Sequence, residues 1–106
     1  MTKDELTAWA LATGWTMIGG HPSLTRPSRP TDAIVRLVLK ATVVNLEIKK
    51  PSGKWDKVSG AAYGAVAADP DTGVPRGLGL VSTPGFAKLI QENRDARVFG
   101  GLTGRR

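Results

Sequence analysis

The chain has 106 residues, with 15 Lys and Arg against 9 Asp and Glu, giving a formal net charge of +6. That length holds one domain with a modest core and little room for a deep cavity as well. With no cysteine, disulfides, thiolate metal sites and a cysteine nucleophile are excluded, and 41% hydrophobic with 23% charged residues is the balance of a globular chain.

The first segment predicts a helix. Thr2 and Glu5 form a capping box, and Asp4 and Glu5 suit the positive end of the helix dipole. Leu6, Trp9, Ala10 and Thr13 fall on one stripe, and Gly14 ends it. The acidic start has no apolar stretch of the kind a signal peptide needs. No apolar run approaches the ~20 residues of a membrane span. The expectation is a cytoplasmic protein without membrane contact.

Trp15 to Ile18 predicts a short strand, broken by Gly19-Gly20. From His21 to Asp32 the chain carries Pro22, Pro27 and Pro30, with Arg26 and Arg29 between them. Prolines this dense oppose a central strand, so the expectation is an extended loop or a brief edge strand near Ser23 to Arg26.

The run from Ile34 to Lys50 is rich in β-branched residues. Val35, Leu37, Leu39, Ala41 and Val43 hold the odd positions; Val44, Leu46 and Ile48 then take the even ones. A period of two changes phase only at a bulge, bend or turn. A break near Lys40 to Val43 is therefore expected. Pro51-Ser52-Gly53, flanked by Lys50 and Lys54, predicts a hairpin pairing 43–50 with 54–62. On its return strand Trp55 and Lys57 share a face.

Gly60 to Ala68 reads as strand running into a bend, and Asp69-Pro70-Asp71-Thr72-Gly73 as a turn. That turn lacks the third ligand position and closing glutamate of a calcium loop. Gly77-Leu78-Gly79 completes no phosphate-binding fingerprint. No cofactor or metal is expected. A short strand is expected at Leu78 to Val81. The last helix is expected from Thr83-Pro84 to just before Gly100, with Phe86, Leu89, Ile90, Asn93 and Arg97 on its inner face and residues 99–106 a frayed tail. Together these elements predict a single α+β domain: an antiparallel sheet of three to five strands flanked by two helices.

Candidate functional residues follow from charge. Arg26, Arg29, Arg36, Lys40, Lys49, Lys50, Lys54 and Lys57, with Trp55 among them, form a basic set suited to phosphates and to stacking on a base. Lysines around a hairpin turn also serve as plain solubility devices and guard strand edges. His21 is the single histidine, and so the usual neutral-pH general base of this chain.

Residues 4–27 resemble the HicA-type toxin family. The pieces are the helix from Leu6 to Gly14, Gly14-Trp15, Gly20-His21 and Leu24-Thr25-Arg26-Pro27. The resemblance implies a small fold related to the double-stranded RNA-binding domain, and RNA cleavage with His21 as the catalytic residue. The family usually has Gly-Ser-His where this chain has Gly-Gly-His-Pro. Three functions are thereby expected in rank order. The first is a basic module binding nucleic acid or another polyanion. The second is an assembly module, such as a homodimer formed by sheet extension. The third is a small ribonuclease.

Overall fold

The computed structural model describes residues 1–26, 28–80 and 85–103, with the side chains of these apart from 30, 87 and 96–103. The protein is an α+β fold. An antiparallel sheet of five strands, in sequential order, is covered on one face by an N-terminal and a C-terminal helix.

Helix α1 (Lys3–Ala12) starts as its sequence predicts. Thr2 Oγ1 accepts from the Glu5 amide at 3.1 Å, and Glu5 Oε1 accepts from the Thr2 amide at 2.8 Å. These bonds hold the Glu5 carboxyl below its usual range, the Thr2 backbone bond first. At the other end the Trp15 amide reaches back to the Ala10 carbonyl at 3.0 Å, a closure in which Gly14 takes φ +100°. Leu6 and Ala10 are fully buried.

The sheet is a meander of β1 (Thr16–Ile18), β2 (His21–Arg26), β3 (Arg29–Leu39), β4 (Val43–Lys49) and β5 (Trp55–Ala62). The break expected near Lys40 to Val43 is the β3–β4 turn, closed by Lys40 N–H to the Val43 carbonyl at 2.9 Å. The predicted hairpin is β4–β5, with the Lys50 amide on the Lys54 carbonyl at 2.8 Å. Register sorts the faces as alternation demands. Val35, Leu37 and Leu39 stand opposite Ile48, Leu46 and Val44 on the covered face, while Arg36 stands opposite Glu47 on the open one.

The proline-rich segment corrects the sequence reading. β2 is an interior strand of the sheet, between β1 and β3, and β3 begins at Arg29, so that it includes Pro30. Pro22 fits because its ladder partner is Met17 of the three-residue β1, and β3 pairing begins only at Ser23. A missing N–H interrupts least where a ladder ends. The β2–β3 register then shifts twice, at Leu24/Thr25 and Thr25/Arg26, as the strands leave their regular pairing.

After β5 a 3₁₀ turn (Tyr63–Ala65) leads into a ribbon of β6 (Ala67–Ala68) and β7 (Pro75–Arg76). A strand lies at 75–76, and residues 78–80 of the strand expected at Leu78 to Val81 are not one; Val81 lies outside the described residues. Leu78 and Leu80 are fully buried in the core, and their segment is irregular. The intervening turn is organised by Asp69, which accepts from the amides of Thr72 and Asp71 and from the Arg76 guanidinium. Those donors, the Thr72 amide first, lower its carboxyl to about 2. The turn is a plain Asx-type device.

Helix α2 (Phe86–Thr103) runs through Gly100 and Gly101, past the predicted stop. Each glycine costs a helix about 1 kcal/mol relative to alanine but blocks no backbone bond. The expected start at Thr83-Pro84, and residues 104–106 of the expected tail, lie outside the described residues. Phe86 is buried, Leu89 and Ile90 pack on the core, and Asn93 is 7% exposed. Trp15 joins the two helices, 5.7 Å from the Trp9 ring and 6.1 Å from Phe86, centroid to centroid. No helix among the described residues is long and apolar enough to cross a membrane.

Candidate nucleic-acid interface

A meander alternates its turns between the two ends of the sheet. The β2–β3 and β4–β5 turns share one end; the β1–β2 and β3–β4 turns share the other. The first end therefore receives Arg26 and Arg29 from the proline-rich segment, and Lys49, Lys50 and Lys54 from the hairpin. Asp32 and Asp56 are the acids that β3 and β5 bring to the same end.

Asp32 sits between two of these cations. Its Oδ1 is 3.2 Å from Lys49 Nζ and its Oδ2 3.8 Å from Arg26 Nε. Arg29, Lys50 and Lys54 have no ion pair among the described residues, and Arg29, Lys50 and Lys54 are exposed. Beside the pair lies a hollow of about 320 Å³, walled by Arg26, Asp32, Ile34, Lys49, Lys50 and Pro51. A second hollow of about 250 Å³ shares Arg26, Ile34 and Lys49 and continues onto Val35, Ile48, Phe86 and Leu89.

The open face of the sheet holds a second group. The Arg36 guanidinium lies 4.0 Å from the Trp55 ring centroid and Lys49 Nζ lies 5.7 Å from it. Arg36 also places Nη2 2.7 Å and Nε 2.8 Å from Glu47 Oε1. Trp55 thus lies outside the core, with a cation already on its ring. Lys57 lies across from Glu47, and its Cε would be 3.1 Å from a Cβ built on Gly60. The same Cβ would lie 2.5 Å from Oδ1 of the buried Asn45, the residue that faces Gly60 across the β4–β5 ladder, and that close approach explains a glycine inside β5.

The nine basic and aromatic candidates accordingly divide. Arg26, Arg29, Lys49, Lys50 and Lys54 are together at one end. Arg36, Trp55 and Lys57 occupy the open face, with Lys49 linking the two groups through Trp55. Lys40 is at the far end, where its carbonyl accepts from Tyr63 Oη at 2.6 Å. Burial raises the Tyr63 hydroxyl above its usual range.

His21 is also at the far end, opposite Ile18 of β1. It is half-buried, and its imidazole makes no hydrogen bond among the described residues. Its carbonyl accepts from Ser23 Oγ at 2.9 Å. No group of three or more His, Asp and Glu side chains suited to a metal occurs among the described residues.

Sequence reasoning missed Ile34, Phe86 and Leu89 as neighbours of the basic end. All three are legible as apolar positions, yet their meeting depends on where α2 crosses the sheet. It also missed Asp32, whose spacing from Lys49 carries no local signal. No family model, curated protein or solved structure matches this chain.

Proposed function

We propose that this chain is a small basic binding module for nucleic acid or a similar polyphosphate, acting through the sheet end that carries the β2–β3 and β4–β5 turns. One observation carries the reading. Two turns distant in sequence share one end of the sheet and bring five cations to it, of which Arg26, Lys49 and Lys50 line a hollow, while β3 and β5 bring Asp32 and Asp56 to the same end. Clustered cations bind phosphates by releasing counterions, with little demand on sequence.

The assembly reading draws on β5, the outer strand at one side of the sheet. Its register shift between Leu46 and Glu47, and Lys57 beside it, are devices that discourage strand addition. RNA cleavage through His21 rests on the family resemblance, with the histidine remote from the clustered cations. Both rank below polyanion binding.

Fluorescence anisotropy with a labelled oligonucleotide at ~50 mM salt tests the proposal, because phosphate-driven binding is strongest there. The wild type is expected to bind, and the Arg29→Ala/Lys50→Ala/Lys54→Ala variant to lose at least tenfold in affinity with its thermal unfolding unchanged. Absence of wild-type binding to single and double strands alike would overturn the reading. So would full affinity in the triple variant.

A further inference from the structure

We infer that the basic end takes an unpaired nucleotide, so that it selects single-stranded nucleic acid over duplex. This rests on the polyanion reading above and specifies its ligand.

The argument comes from the second hollow. A surface that only tracks phosphates needs cations and solvent access. Here Arg26 and Lys49, which share Asp32 and keep their remaining N–H donors, stand at the rim over Ile34, Val35, Ile48, Phe86 and Leu89, with Lys50 on the adjoining hollow. An apolar floor under a cationic rim matches a nucleotide whose base is out of the stack: the base is a flat, poorly hydrated group, and its phosphate is the adjoining anion. A continuous duplex hides its base planes and offers the rim phosphates alone. The hollow of about 320 Å³ is at the small end of the ~300–1,000 Å³ range of ligand pockets, and the one of about 250 Å³ lies just below it. That is room for one base and its phosphate.

An acidic peptide with an apolar neighbour shares part of this chemistry. The nucleic acid is favoured because Arg29, Lys50 and Lys54 extend the positive surface around both turns, beyond what one carboxylate engages. A phosphate chain continues past the hollow, as those side chains do.

The experiment compares four probes on the wild-type protein at one salt concentration: a single strand of about ten nucleotides, its duplex, the same strand with abasic sites, and an acidic peptide with aromatic residues. Site sizes of this order are usual for single-strand binders. The single strand is expected to bind about tenfold more tightly than both the duplex and the abasic strand, since stacking or burial of one base contributes about that much. Methyl resonances of Ile34, Ile48 and Leu89 are expected to shift on its addition.

Equal affinity for single, abasic and double strands would overturn this inference and leave the polyanion reading standing. Base-dependent binding without shifts at those methyls would place the base elsewhere and overturn it too. Binding of the peptide alone, with no nucleic acid bound, would overturn both.

Discussion

Arg36 shows how a residue chosen for its charge is used for structure. Its guanidinium stacks on Trp55 at 4.0 Å and directs two nitrogens at Glu47 Oε1, at 2.7 and 2.8 Å. The Arg36 side chain is 26% exposed and the Glu47 side chain 17%. A planar fork satisfies both partners; an ammonium reaches one of them. Arg36→Lys is therefore expected to lower stability by about 1 kcal/mol in urea denaturation, the scale of one partly desolvated cation–π or charged hydrogen bond. Oligonucleotide affinity in the same variant is expected to stay within twofold. A tenfold loss of affinity with unchanged stability would instead make Arg36 a phosphate contact. Charge type was readable from sequence at this position. The partner was not, because Glu47 is set opposite Arg36 only by the register of β3 on β4.

At the scale of elements, the helices and the central hairpin were legible because each carries its own signal. The capping box sets the start of α1, the phase flip sets the break between β3 and β4, and Pro51-Ser52-Gly53 sets the hairpin. The proline-rich segment was misread because its strands are completed from outside. Where the β2–β3 register shifts at Thr25, the side chain of Asn93 on α2 supplies the missing partner. Asn93 Oδ1 accepts from the Thr25 amide at 2.9 Å, and Nδ2 donates to the Thr25 carbonyl at 2.9 Å. Nδ2 also donates to the Leu89 carbonyl at 2.8 Å. Asn93 thus acts as one rung of a strand, presented by a helix 68 residues away. The α1–β1 connection packs closely against the same turn of α2. A Cβ on Gly14 would lie 2.9 Å from the Arg94 backbone nitrogen. Asn93→Leu keeps the bulk but leaves the Thr25 amide and carbonyl buried without partners. Each such group costs about 1–3 kcal/mol. The expected loss is therefore at least ~2 kcal/mol, read as a lowered denaturant midpoint. A change under ~0.5 kcal/mol would mean that water or a shifted strand replaces the side chain.

Across the whole molecule, the count of 15 Lys and Arg overstates the free cations a polyanion would meet. Arg36 is committed to Glu47, Arg76 to Asp69, and both Arg26 and Lys49 to Asp32. At the basic end this leaves Arg29, Lys50 and Lys54 without an ion pair among the described residues. If those three supply the phosphate contacts, log affinity for a single strand should fall against log salt with a slope near −2, at about −0.7 per contact. A steeper line is expected once Asp32 is neutralised. Asp32→Asn releases Arg26 and Lys49, raises the number of available cations to five, and should move the slope toward about −3.5 while raising affinity at low salt. Stability is expected to change by under ~1 kcal/mol, because both pairs are partly exposed and such pairs contribute little. Anisotropy titrations at four salt concentrations read both slopes. An Asp32→Asn variant that binds no better than wild type, with the same slope, would show that these two cations take no part in holding the polyanion. Weaker binding would show that Asp32 orients them for it.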